Sequence, residues 1–437
     1  MIQLTSNDFR VLVGASAINF LIAGSARLST IFFVESLTRY NASRKEASLV
    51  YVLPYLVRTL SGPLIGYFDQ IFGLRKLIIA GCLVSTLSIG FCFFAEDIFT
   101  VTILWGGLFG FGYGLSHQTI PPYLNQHFSE NKSTANGLAL TFASLGAILL
   151  PPVMQVCINL YGLSGCFLVL SAMVANTIPA SLAMPNLSNN DSPKKNKNFP
   201  ANGLTTETNS AKQIQKSDKD NYIAERNIRN FPGNKIFVVF IDPAFIIMLI
   251  INSCFMFIVV TIWTIILDYS LDKNLDEGMK IHVVTIISVS DLISRFSSGF
   301  IIDAKCMELT KLTFICFFST GLLLIVFVFV YNSLFLMICE FAIYFIFGLL
   351  FLLTIALVPE FIEDDKRTMA LTSRHILSIP LSLATPSIIG YFRGTHGSYD
   401  GVFYILGITC IFCAFSACFL PYLAKKKTRT PDLECAT

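Results

Sequence analysis

Ser288-Val-Ser-Asp291-Leu-Ile-Ser-Arg295-Phe-Ser-Ser-Gly299 sets an acid and a base four residues apart inside an otherwise apolar run. Four residues is about one helical turn, so on a helix Asp291 and Arg295 share a face, and Ser288 and Ser298 prolong the polar stripe. The last five residues have an echo far upstream, Arg58-Thr-Leu-Ser-Gly62. That echo lies in the second apolar stretch of the chain, and Arg295 to Gly299 lie in the eighth. A second echo relates Pro152, Gly162 and Phe167 to Pro386, Gly397 and Phe403. Landmarks at matching places in two halves indicate an internally duplicated chain, the plan of transporters whose cargo binds between two similar bundles.

Composition fits that setting. Of 437 residues, 54% are hydrophobic and 14% are charged, and the mean hydropathy is +0.66; soluble chains carry about 25% charge. Forty phenylalanines spread from end to end exclude a soluble enzyme with one anchor and exclude a disordered chain. A net charge of +3 is too small to suggest a nucleic-acid partner.

A helix needs roughly 20 apolar residues to cross a bilayer. Twelve such stretches are read here, the first at 11–34 and the last at 401–423. The seventh, 236–267, is too long for one upright span and predicts a short lead-in before Pro243. The expected fold is an all-α membrane protein with twelve transmembrane helices in two six-helix bundles, residues 1–184 and 236–424. Between them runs a polar connector, 185–235, too poor in bulky apolar side chains to order itself, and a basic tail follows at 425–437. Most of the 31 Lys and Arg fall on the side of the membrane that also holds the connector. Basic residues are retained in the cytoplasm, so both termini are expected there, in a multi-pass protein of the plasma membrane.

Four arginines lie within spans: Arg27, Arg58, Arg295 and Arg374. Asp291 is the carboxylate at comparable depth, with Glu340 nearer the outer end of the tenth span. An ion inside the bilayer costs about 2.5–3.5 kcal/mol on insertion scales, and arginine keeps its proton. The surplus of deep positive charge calls for an anionic ligand, and a carboxylate matches the two-pronged guanidinium. Arg27 and Arg295 are therefore the expected carboxylate ligands and Arg58 an electrostatic contributor lining the cavity. Asp291 is the expected proton acceptor, since its protonation would release Arg295 to the cargo.

Other patterns read as structural. The run Gly106, Gly107, Gly110, Gly112 and Gly114 lies inside a span with no preceding strand, which favours close helix packing over a dinucleotide loop. Twelve scattered cysteines and five unclustered histidines offer no metal or redox site, and His375 beside Arg374 reads as structural. Pro121-Pro122 and Pro151-Pro152 are expected to break helices, the second pair as a hinge. No nucleophile triad or Walker loop is present in the sequence, so neither an enzyme nor a resident cofactor is expected.

Several phrases together resemble the monocarboxylate transporter family of the major facilitator superfamily. They are Asn41-Ala-Ser-Arg-Lys-Glu-Ala-Ser48, Gly62-Pro63, Phe72-Gly73-Leu-Arg75, Ala135-Asn136-Gly137-Leu138-Ala139, the Asp291/Arg295 pair and Gly394-Thr-His-Gly397-Ser-Tyr399-Asp400. The resemblance implies the major facilitator fold and gives Asp291 and Arg295 roles in proton and carboxylate binding. It places Arg27 where proton-coupled members carry a lysine, a larger group that does not titrate. Asp69 and Arg75 resemble the conformational gating loop of the superfamily, and Asp303 its counterpart in the second half. The chain departs from the family in its first span, where Asp8 alone resembles the Asp-Gly-Trp-rich signature, and at Asn131-Lys132, where the family has paired basic residues. The implied function is secondary transport of a small monocarboxylate by proton symport, with the bilayer, the proton and, in parts of the family, a single-pass escort protein as partners. Two alternatives stand beside it: an uncoupled facilitator of a larger carboxylate such as an aromatic amino acid or hormone-like compound, and a non-transporting receptor or scaffold.

Overall fold

The computed structural model describes residues 5–42, 44–186, 237–273 and 280–423. The connector from 187 onward and the tail at 425–437 lie outside the described residues. Among those described, ten helical runs are long and apolar enough to cross a bilayer. One of them, Lys132–Ala183, is 52 residues long and is broken at Gly162 into two helices. With the further helix Arg44–Phe72 the fold has twelve membrane-length helices.

They are α1 (Ser6–Phe33), α2 (Arg44–Phe72), α3 (Leu74–Phe91), α4 (Ile98–His127), α5 (132–161) and α6 (163–183) in the first half. The second half holds α7 (Pro243–Asp272), α8 (Lys280–Asp303), α9 (Leu309–Phe327), α10 (Ser333–Phe361), α11 (Asp364–Thr395) and α12 (Asp400–Leu423). A short 3-10 turn, Val238–Ile241, precedes Pro243. Proline at the first helical position lacks only an N–H that has no intrahelical partner anyway, which is why α7 starts there.

Two apolar cores divide the helices into bundles. One is built from α1 to α6 and the other from α7 to α12, with Leu140 of α5 joining the second. Each core centres on an aromatic cluster. Phe32 of α1 packs 5.3 Å from Trp105 of α4 and 5.1 Å from Phe167 of α6. Tyr269 of α7 packs 5.7 Å from Phe327 of α9 and 4.4 Å from Phe403 of α12. Phe167 and Phe403 thus hold matching positions, as the sequence echo requires. Their companion glycines match as well: Gly162 has φ 69° and Gly397 has φ 68°, a left-handed backbone that L side chains resist. Pro151 and Pro152, by contrast, lie within continuous helix, and the break comes ten residues later at Gly162.

Gly62 and Gly299, which end the first echo, explain how the halves meet. A Cβ on Gly62 would lie 2.3 Å from the Thr372 carbonyl oxygen of α11, and one on Gly299 would lie 2.6 Å from Cα of Thr134 in α5. Matching glycines therefore allow α2 to cross α11 and α8 to cross α5 backbone to backbone. Both crossings lie toward the face bearing Arg75, Lys76, Lys132, Lys305 and Lys311, called here the basic face. Gly299→Val is expected to hold the basic face open. Spin labels at Lys76 and Lys311 will check this: their separation should lengthen in the variant and not in Gly107→Ala, where an added methyl meets nothing.

Candidate functional site

Asp291 and Arg295 are both 7% exposed. The spacing read from sequence becomes an ion pair, with Arg295 Nε donating to Asp291 Oδ1 at 2.8 Å. The other carboxylate oxygen accepts from the Ser144 hydroxyl of α5 at 2.6 Å, so Asp291 ties α8 to the opposite bundle. Packing permits this because Gly137, two turns from Ser144 on α5, leaves room for the α8 backbone at Arg295 and Gly299. A charged hydrogen bond of this kind is worth about 1.5–3 kcal/mol.

Facing the pair is Arg27. It sits where α1 tightens, since the Arg27 and Leu28 N–H groups bond three residues back to the carbonyls of Gly24 and Ser25 at 3.1 and 3.0 Å. Its guanidinium lies 4.6 Å from the centre of the Trp263 ring of α7 and within electrostatic reach of Asp291. Between these groups is a cavity of about 420 Å³ lined by both halves, with Arg27, Tyr55, Ser144, Trp263, Asp291 and Tyr344 among its walls. The Tyr344 hydroxyl is buried and has no hydrogen-bond partner among the described residues, which leaves it available to a ligand. A cation, a carboxylate that can take up a proton, and three aromatic faces around one void suit a small organic anion.

Arg58 lies elsewhere. Its guanidinium packs 5.1 Å from the Tyr113 ring and 5.9 Å from the Tyr55 ring, and Nη1 meets the Tyr113 hydroxyl at 3.4 Å. It is not among the cavity-lining residues. Tyr55 stands between it and the void.

The three gating candidates lie at the basic face. Asp303, at the end of α8, accepts from the backbone N–H groups of Ser133 at 3.3 Å and Thr134 at 2.6 Å. These are orphan donors of the first turn of α5, capped across the bundle interface. Asn131 enables it, because its left-handed φ of 54° turns the chain into α5, a conformation Asn tolerates. Asp69, at the end of α2, lies within electrostatic reach of Thr368 at the start of α11. The two carboxylates therefore stand at matching places on the two sides of the seam between the halves, and Asp303 bridges it. Arg75 instead stays within its own half, donating to Asn186 at 2.8 Å and to the Leu182 carbonyl at 2.6 Å. Asp303→Ala removes a cap worth about 0.5–2 kcal/mol, roughly 2- to 30-fold in the closed-to-open ratio. The expected result is faster alkylation of a cysteine placed at Ser133, measured as a rate.

Sequence reasoning did not find Ser144, Trp263 or Tyr344. Trp263 alone carried a signal, being one of only two tryptophans.

Two six-helix bundles, a largely apolar cavity between them that holds a buried ion pair, and a carboxylate bridge at one face define a membrane transporter of the two-bundle class. Residues 15–316 match the Major Facilitator Superfamily, and the chain belongs to that superfamily. Its curated relatives are monocarboxylate transporters at low identity. Human monocarboxylate transporter 2 is 23% identical over 298 residues, spanning 68% of this chain and 60% of that protein. Human monocarboxylate transporter 12 is 21% identical over 418 residues, 92% of this chain and 78% of that protein. Among solved structures, the E. coli fucose:proton symporter FucP superposes with a TM-score of 0.69 at 14% identity, covering 94% of this chain and 98% of that one. The proton:xylose symporter XylE gives 0.65 at 13%, covering 94% and 95%. These relatives and structural neighbours are transporters, not enzymes. The superfamily and the apolar helices make the chain a multi-pass membrane protein.

Proposed function

We propose that this protein is a secondary active transporter of small monocarboxylates, loading its cargo between Arg27 and the Asp291–Arg295 pair. The observation that carries the reading is the placement of Arg27 on a cavity wall facing a carboxylate already engaged by Arg295 and Ser144. In the proposed cycle Asp291 takes a proton and loosens its hold on Arg295. The cargo carboxylate then bridges Arg295 and Arg27 in place of the Asp291 carboxylate, and the site, re-paired at unchanged net charge, allows the halves to rock about the cavity. Asp303 and the glycine-mediated crossings hold the basic face shut in the present state, while the cavity residues Trp263, Ile266, Ile287 and Ser288 lie toward the other face. The basic face is the cytoplasmic one by charge bias, so this state takes cargo from outside, at the plasma membrane. The monocarboxylate relatives support the cargo class, and a single-pass escort protein stands as a partner proposed from the family resemblance alone.

The test is uptake of a panel of carboxylates into proteoliposomes with and without an inward proton gradient. Acceleration by the gradient is the expected result, and uptake indifferent to it points to uncoupled transport.

A second reading has its own support. Tyr55, Trp263 and Tyr344 line the cavity, and Arg27 offers no titrating proton. A facilitator of aromatic carboxylates would use those rings as stacking platforms, and the same panel separates it by cargo preference.

A further inference from the structure

Beyond the central cavity lies a second concentration of buried positive charge. Arg58 of α2, Arg374 and His375 of α11 and Gln118 of α4 are buried, each 9% exposed or less, and His117 of α4 beside them is half-buried. Arg374 is an electrostatic neighbour of Arg58, and His375 of Arg374, Arg58 and His117. The neighbouring contacts fix the arrangement. Gly62, one turn beyond Arg58, touches the backbone of Thr372 and Ser373 just before Arg374, and the Gln118 amide donates to the Arg58 carbonyl at 2.7 Å. Tyr113 lies between Arg58 and His117, its ring 5.2 Å from the imidazole.

Polar capacity in this cluster is left unused. Arg58 Nε, Arg374 Nε, His375 Nδ1 and Gln118 Oε1 are all buried without a hydrogen-bond partner among the described residues. His117 Nδ1 is taken by Asn19 at 2.7 Å, and Arg374 Nη1 by the Leu371 carbonyl at 2.5 Å. No carboxylate is among the described partners of the two arginines. Leaving charged donors unpaired in a dry site is costly, more so than leaving a neutral group.

The helices that carry these groups are interrupted there. On α4 the turn Gln118-Thr119 follows His117, and on α11 the turn runs from Arg374 to Leu377. Proline clashes with the carbonyl four residues before it. Pro121 and Pro122 therefore disturb His117 and Gln118, and Pro380 disturbs Ile376 in the α11 turn. Broken helices facing one another across the interface of two bundles are where transporters place ions and cargo. A stacked path also links this cluster to the central pair: Arg295 lies 5.0 Å from the Phe351 ring, and that ring lies 6.3 Å from His375.

The geometry points to a second anion site, formed by Arg58 and Arg374 with His117 and Gln118 at the interrupted turns of α4 and α11. It takes a small monovalent anion, either the cargo carboxylate on its way toward the basic face or a resident halide. It stands separately from the loading site proposed above, and neither requires the other.

The experiment uses the full chain in lipid nanodiscs, in a bulky sulfonate buffer, with thermal melting followed as acetate or chloride is added. Arg27→Gln, Asp291→Asn and Arg295→Gln together neutralise the central site. In that background a saturable rise in melting temperature is expected to persist. Adding Arg374→Gln should weaken it at least tenfold, and Arg374→Lys should restore much of it. If Arg374→Gln does not fold, Arg58→Gln serves in its place. A larger response to acetate assigns the site to cargo in transit, and a larger response to chloride assigns it to a resident ion. Absence of a saturable rise in the neutralised background, or a rise that both Gln variants leave unchanged, overturns the proposal. Failure of the loading-site reading shows separately, as unaltered anion response when the central site alone is neutralised.

Discussion

Asp291→Asn should abolish accumulation driven by a proton gradient, bringing the steady-state ratio down to the one reached without a gradient, while leaving exchange of cargo across the membrane measurable. Asn keeps the size and one oxygen of the acid, so the Arg295 Nε bond can persist in weakened form on the amide oxygen, while the Ser144 hydroxyl, now a donor to Asp291, can instead accept from the amide NH2. It takes no proton, and the step that releases Arg295 is lost. Uptake against a gradient separates coupling from mere passage, and counterflow of labelled cargo measures passage alone. Arg295→Leu is the harsher change. It strands a buried carboxylate, a loss of about 3–5 kcal/mol for a broken buried pair, and should reduce the folded yield seen by size-exclusion chromatography. Retained accumulation in Asp291→Asn would falsify proton coupling through this residue.

The second large effect is expected at Arg27. Arg27→Gln deletes the cation that faces the pair across the cavity, and with it a charged hydrogen bond to the cargo worth about 1.5–3 kcal/mol. That corresponds to roughly a 10- to 150-fold rise in KM for a carboxylate. Arg27→Lys keeps the charge but loses the planar fork and its stacking against Trp263, so an intermediate KM is expected. A lysine can also titrate when buried, so this variant should show a steeper dependence of uptake on external pH than the parent. Initial rates over a range of concentrations at two pH values read both effects. An unchanged KM in Arg27→Gln would place the cargo elsewhere.

Local rules made much of this fold legible. Length and apolarity disclosed the helices because a bilayer core imposes a minimum span. Duplication was visible at Gly62 and Gly299, and at Gly162 and Gly397, because close crossings and left-handed corners admit little besides glycine. The Asp291–Arg295 bond was readable because it lies within one helical turn. The Ser144 bond to the same carboxylate was not, since its partners are 147 residues apart and meet only through the rotation of α5 against α8. Arg58 shows the same limit from the other side. Its depth was apparent from the sequence, but which way α2 turns it depends on Tyr55 and Tyr113, and these direct it away from the cavity.

The bridges at the basic face also bear on leakage. Glycine-mediated crossings and the Asp303 carboxylate on its two hydrogen bonds act only at contact range: a gap of about 0.5–1 Å forfeits a quarter to a half of a dispersion contact. Such a seal weakens all along its length once it starts to part. Partly opened forms then gain little from the contacts they retain, so the protein should dwell either shut or fully parted. A carrier with that behaviour can turn over rapidly without letting water or stray ions run through.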